Sequence, residues 1–290
     1  MPKKQHKEKI DIIENKNWPH IDWKKLWAEM RRARIRPVRI TYDKQFKENF
    51  MLDQFEVAQA NEFEYGRKVV ETLSDLLSPN FEVLEIGPGP GTLTIPLTKH
   101  VKSITAIEFS SKMVTALKKK LDKEQINNVE ILKKDWMKLP ESELKRRYDL
   151  VVCSHFLWQV EDLEAHLEKM EGASKRFCAI IQPSGRDAVV RDAYEAIVSE
   201  PYQGQFEPDA DIFPYIILRQ KGRLLNTNSI EYAIRRDQPQ LSRYVASFIG
   251  KYIEIDKSVD EAIVEFVGKY IKNGFHIEQS KAMVMWWRIV

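Results

Sequence analysis

The chain has 290 residues, 43% of them apolar and 31% charged, and its 46 basic residues nearly balance 43 acidic ones. That composition belongs to a globular chain with a sizeable core, and a formal charge of +3 gives no argument for a general polyanion partner. Cys153 and Cys178, the two cysteines, each lie beside an apolar run and read as small apolar strand residues; without a CxxC pair or a His/Cys cluster, no metal site is expected.

Residues Met1 to Lys9 form a basic tail with no apolar region behind it, so a signal peptide is not expected. No stretch approaches the roughly 20 apolar residues that span a bilayer, and a cytoplasmic protein without membrane contact is the expectation. Trp23, Leu26, Trp27 and Met30 recur at helical spacing and predict a helix over Asp22 to Ala33, with Asp22 as N-cap. Arg31, Arg32, Arg34, Arg36 and Arg39 follow, either as a solvated face or as a grip on an anionic substrate, and Pro37 ends the helix. A second helix is predicted from Lys44 to Ala60 and a third from Glu62 to Leu77.

Extended and helical segments then alternate. Strands are expected at Phe81 to Ile86, Ser103 to Glu108, Val129 to Leu132, Tyr148 to Cys153 and Arg176 to Ile181. Helices are expected at Thr92 to Lys99, Ser110 to Asp122 and Asp162 to Met170. Such alternation predicts βαβ units, a parallel sheet and helices on both faces. Ser184 to Pro208 reads as irregular and opens an elaboration running to about residue 272. It includes a helix near Asp211 to Lys221, a strand near Ser229 to Arg235 and a helix near Ser258 to Lys272. The apolar run Ala282 to Val290 predicts a final buried strand.

The segment with chemistry in it is Val83-Leu84-Glu85-Ile86-Gly87-Pro88-Gly89-Pro90-Gly91-Thr92. Glycines at alternate positions between a strand and a helix allow a tight turn and let a ligand approach the main chain. A Walker loop would need Gly-Lys-Ser/Thr, and a dinucleotide fingerprint would need glycine at Thr92; neither is met. The pattern apolar-apolar-acidic-apolar-Gly-x-Gly-x-Gly resembles the first motif of class I S-adenosylmethionine-dependent methyltransferases.

That resemblance covers about Glu62 to Gln182. It implies a three-layer αβα Rossmann-like sheet, mostly parallel with the last strand antiparallel, an N-terminal helical extension and an insertion in the C-terminal half. Residues 1–61 would be tail and lid, and residues 62–290 the cofactor-binding domain, elaborated at about 184–272. It further implies that Gly87, Gly89 and Gly91 cradle S-adenosylmethionine, that Glu85 holds its amino group through water or indirectly, with main-chain donors of the glycine loop as the alternative partner, and that Glu108 accepts both ribose hydroxyls. Phe109 or Met113 is left to cover the adenine, Asp135 to accept from the adenine amino group, and Trp136 to close over the ring. S-adenosylhomocysteine would be the product.

The loop after the fourth strand reads Ser154-His155-Phe156-Leu157-Trp158 and, by the same resemblance, lines the methionine half of the cofactor. Ser154 is a cofactor contact in this reading. His155 is the candidate general base, with hydrogen bonding within the loop as its alternative. The loop lacks the Asn/Asp-Pro-Pro-Tyr/Phe pattern of many methyltransferases that act on DNA bases, protein glutamine or RNA adenine. Trp18, Trp23, Trp27, Tyr42, Phe46 and Phe50 form an aromatic N-terminal extension; Tyr42 or Phe50 either touches the substrate or the cofactor or, with the others, pins helices to the core. The expected reaction is methyl transfer to a small or medium-sized nucleophile. The alternative is an RNA or protein substrate docked on Lys3, Lys4, Lys7 and the arginines between 31 and 39.

Overall fold

A computed structural model describes residues 21–35, 44–185, 188–202, 204 and 210–289. Among them, helix α1 spans Trp23–Ile35 and α2 Lys44–Ala60, as the apolar spacing predicts. Asp22 caps α1 by accepting from the Lys25 amide at 3.0 Å, which satisfies one of the free N–H groups at a helix start. Helix α3 is shorter than its sequence pattern and covers Glu64–Thr72.

The sheet follows: β1 Glu82–Ile86, α4 Thr94–Leu97, β2 Ser103–Ile107, α5 Ser111–Lys123, β3 Val129–Leu132, β4 Tyr148–Ser154, α6 Leu163–Ala173 and β5 Ser174–Pro183. After it come α7 Val189–Val198, α8 Ile212–Gln220, β6 Leu225–Arg236, α9 Gln238–Ile249, α10 Lys257–Gly268 and β7 His276–Arg288. Strand order is β3-β2-β1-β4-β5-β7-β6. Strand β7 runs antiparallel to both β5 and β6, and the pairs among β1 to β5 are parallel. The chain thus has the mixed, mostly parallel α/β sheet that the resemblance implies. Strand order reverses between β1 and β4, the place where parallel sheets open a crevice at their carboxyl ends.

Side-chain alternation gives the sheet two buried faces. Leu84, Ile86, Ile107, Val151 and Cys153 meet α1, α6 and α8 on one face through Trp27, Leu167 and Phe213. Val83, Ile104, Ala106, Leu150 and Val152 meet α3 on the other through Tyr65, Val69 and Leu73. Each leucine, isoleucine or valine among them contributes about 1.5–3 kcal/mol when fully buried. Trp27 joins α1 to the sheet layer: its indole N–H donates to the Val160 carbonyl at 3.0 Å, and its ring meets Phe213 edge-on at 5.3 Å. For Trp23 and Trp27, anchoring to the core is therefore the reading that holds.

Two helices were not expected. Helix α7 lies inside the stretch read as irregular, and buries Val189, Val190, Ala193 and Tyr194 at helical spacing. Helix α9 carries a capping box: Asp237 and Gln240 exchange side-chain to main-chain hydrogen bonds of 2.8 and 3.0 Å. Together with α10 these helices share a separate core built on Tyr194, Leu241, Val245, Ile263 and Val267.

Candidate functional site

Parallel register assembles the site. Ile86 of β1 pairs with Ile107 of β2 and Cys153 of β4, so the next residues, Gly87, Glu108 and Ser154, leave the sheet side by side. Gly87, Gly89 and Gly91 have φ of 66, 55 and 104°, the left-handed region that favours glycine. A Cβ on Gly87 would stand 2.5 Å from the Phe156 ring. Gly91 has a different task from the one expected: it does not line the cavity, and a Cβ there would meet Leu117 of α5 at 2.6 Å. Gly66 of α3, unmarked in the sequence, lets that helix approach the loop, since a Cβ would fall 2.3 Å from the Thr92 carbonyl oxygen.

Glu108 sits at the turn. Its two carboxylate oxygens accept from the Gly89 amide at 3.2 Å and the Ser110 amide at 2.8 Å. Glu85 lies one strand across, on the sheet face shared with Val83, Ala106 and Val152. It is only 1% exposed, and its Oε2 has no hydrogen-bond partner among the described residues. Burial raises its carboxyl from about 4.5 to about 7; Thr94 opposes the shift and the Glu108 charge adds to it.

The expected adenine end divides. Phe109 is 48% exposed at the cavity rim. Asp135 also lines the cavity, and its side chain accepts from the Met137 amide at 3.0 Å as the cap of a short 3₁₀ turn. Met113 is corrected: it is fully buried on the inner face of α5 with Leu117 and does not border the cavity. Trp136 borders the cavity, and its ring is held in place by an indole N–H that donates to His166 Nδ1 at 3.0 Å. Burial, aided by the nearby Lys169 ammonium, lowers His166 to about 3, so it accepts as a neutral ring.

On the opposite side, the Ser154 and Tyr65 hydroxyls share a 2.6 Å hydrogen bond. The Tyr65 ring lies 4.9 Å from His155 and 5.0 Å from Tyr232. His155 is exposed to the cavity, with φ of 51° and its amide bonded to the Ile181 carbonyl at 3.0 Å. Burial, with Tyr232 as a lesser cause, holds the Tyr65 hydroxyl well above its usual range, which makes it a hydrogen-bonding group rather than a base. Cys153 and Cys178 are buried with raised thiols, far from thiolate chemistry. Tyr42 lies outside the described residues, as do Lys3, Lys4, Lys7, Trp18, Arg36, Pro37 and Arg39 and the side chains of Arg34, Phe46, Phe50 and Trp158.

These groups border a cavity of about 750 Å³, within the span of small-molecule sites, roughly 300–1,000 Å³. From the glycine turn it continues to a second wall that the sequence did not reveal, made by α2, β6, β7 and α9. Gln54, Arg236, Tyr244 and Glu278 stand there, brought together across as many as 224 positions. No group of three or more His, Cys, Asp or Glu suited to a metal ion occurs among the described residues, and no described helix is long and apolar enough to cross a membrane.

Residues 83–176, from β1 into β5, match the model of a methyltransferase domain. This part of the chain is therefore similar to a methyltransferase domain. Among curated proteins, a ribosomal RNA small subunit methyltransferase A of Wigglesworthia glossinidia brevipalpis is 41% identical over 75 residues, 25% of this chain and 28% of that protein. A ubiquinone biosynthesis O-methyltransferase of Coxiella burnetii is 27% identical over 110 residues, 36% of this chain and 40% of that protein. The chain therefore matches well under half the length of either relative. Among solved structures, the magnesium protoporphyrin IX methyltransferase of Synechocystis PCC 6803, with bound S-adenosylhomocysteine, superposes with a TM-score of 0.51. It is 14% identical, with 80% of this chain and 86% of that one covered, and the likeness concerns the fold alone.

Proposed function

We propose that this protein transfers a methyl group from S-adenosylmethionine to a small or medium-sized nucleophile held in the cavity. The observation that carries the reading is the unpartnered Glu85 oxygen beside a glycine turn that Glu108 also grips. A buried carboxylate without a donor is costly, and a cationic amine relieves it. The residues present fit the cofactor: Glu85 for its amino group through water or indirectly, Glu108 for the ribose diol, the glycine turn from Gly87 to Gly89 as the surface its amino-acid part lies against, and Phe109 with Asp135 for the adenine. When bound, S-adenosylmethionine supplies an electrophilic methyl group on a sulfonium.

The chain's own residues then orient the acceptor. Ser154, Tyr65 and His155 border the methionine side, and Tyr232 continues the wall towards the acceptor. Placement of a nucleophile is a large part of catalysis with so reactive a donor, and His155 is the group positioned to take its proton. Residues 1–61 act as extension and cover, a reading that Gln54, Phe55, Val57 and Ala58 of α2 support by lining the cavity. Residues 62–290 form the cofactor-binding domain, elaborated at 184–272. The two buried free cysteines support a reducing compartment, the cytoplasm.

Calorimetry with S-adenosylhomocysteine tests the cofactor half, with micromolar binding expected and undetectable binding fatal to it. Turnover of methyl-labelled donor with a metabolite extract tests the acceptor half. The ribosomal RNA relatives favour a second reading, an RNA acceptor docked on the basic N-terminal region. RNA affinity that falls steeply with salt would support that reading, and no binding at low salt would remove it.

A further inference from the structure

At the far end of the cavity the Arg236 side chain is 2% exposed and only part of its donor set is used. Its Nη1 donates to Glu278, and its Nη2 donates to Gln54 Oε1 at 3.0 Å. Arg236 Nε has no partner among the described residues, and neither does Gln54 Nε2. Two unpartnered donor atoms, each with almost no exposed surface of its own, thus sit on residues that border the cavity and are joined by a single hydrogen bond. Most buried polar groups find partners, and each one left unpaired costs about 1–3 kcal/mol.

The surroundings state what kind of acceptor would answer these donors. Glu278 is already committed: one oxygen takes Arg236, and the other accepts from Ser280 Oγ at 2.6 Å. Lys251 and Lys281 also line the cavity, Lys281 in contact with Glu231 at 2.7 Å, and Glu64 is a further acid in the lining. At the glycine end stand Glu85, Glu108 and Asp135, with Lys134 beside them. The Arg236 guanidinium lies over the Tyr244 ring at 4.1 Å, and Phe55, Phe63 and Phe248 add apolar wall. A phosphodiester chain is bound along an exposed cationic groove, whereas these donors are buried.

We propose that the methyl acceptor is a small, largely apolar acid whose carboxylate is received by Arg236 Nε and Gln54 Nε2 as these side chains turn towards the cavity they border. This rests on the methyltransferase reading for what happens at the other end of the acceptor, but the anion site itself does not depend on the methyl donor. A carboxylate fits because it is acceptor-only and takes two donors at once.

The test uses the full chain, with and without S-adenosylhomocysteine, and ligand-observed NMR. The probes are benzoate, 3-phenylpropionate and 2-naphthoate, each against its primary amide. At least one acid is expected to bind at least tenfold more tightly than its amide. Gln54→Glu retains the shape of the side chain and places a carboxylate beside Arg236; it should abolish acid binding without lowering Tm. Gln54→Leu removes the donor outright and should weaken acid binding at least fivefold. Acid and amide within twofold of each other, no acid binding at all, or an acid preference that survives both variants would overturn the proposal. Displacement of the acids by single-stranded RNA, with tighter binding of that RNA, would overturn it too. Failure of S-adenosylhomocysteine to bind would strike the methyl-donor reading alone, since the acid-against-amide comparison is also made without it.

Discussion

Replacing Glu85 by glutamine separates the charge of this side chain from its shape. In the folded chain its carboxyl holds a proton up to about pH 7, against about 4.5 when unperturbed. Between those values the folded state binds more protons than the unfolded one, so this group's contribution to stability declines as pH rises from 4.5 to 7 and then levels. The difference amounts to about 3 kcal/mol. Glu85→Gln is therefore expected to stabilise the ligand-free chain at pH 8 by about 1–3 kcal/mol, with little change at pH 5. Binding should respond in the opposite sense. A cationic cofactor amine selects the ionised carboxylate, so S-adenosylhomocysteine should bind about tenfold more tightly at pH 8 than at pH 6. In Glu85→Gln the affinity should be lower and the profile flat. Denaturant titration and calorimetry across pH 5–8 measure both effects. Equal pH slopes for the two proteins would refute the reasoning, because the proton would then belong elsewhere.

His166 carries the reverse linkage. Its folded value of about 3 lies below the usual 6.5, so stability should fall as pH drops from 6.5, by about 3 kcal/mol at pH 4. His166→Gln, which retains an acceptor for Trp136, should flatten that decline in denaturant titrations; an unchanged decline would count against the assignment. Gly66→Ala sets a Cβ against the Thr92 carbonyl oxygen and should cost about 1–3 kcal/mol, read as a lower Tm, with weaker S-adenosylhomocysteine binding because Thr92 borders the turn. Trp27→Phe removes the donor to the Val160 carbonyl and should cost about 1–2 kcal/mol in denaturant titrations while leaving cofactor affinity unchanged.

The cofactor end was legible because its demands are local or follow from sheet regularity. Alternating glycines between a strand and a helix permit positive φ, and all three have it. Glu108 follows a strand that pairs in parallel register with the one before Gly87, so its place after β2 was enough to put it at the turn. At other positions packing adds a demand that the motif does not show. Met113 is followed four residues on by Leu117, and that spacing sends both to the same buried face of α5. Trp136 has the size to cover an adenine, but its N–H requires a partner, and His166 supplies one inside the core. Gly91 answers a packing need rather than a ligand.

Length, periodicity and the glycine segment alone determined an α/β chain with a nucleotide-type turn after its first strand. Helix α9 was equally open to that reading, through its capping box, and α7 less so, beside glycine and a proline-rich stretch. The acceptor end was decided only in three dimensions. Gln54 stands 182 residues from Arg236, and Glu278 lies on the antiparallel strand after it, so no window of sequence contains the three. Tyr65 and Ser154, 89 residues apart, meet only because α3 packs on the strand face above β4. A turn is written in neighbouring residues, whereas a pocket wall is written in the register of strands and the docking of helices, whose energies depend on the whole core at once.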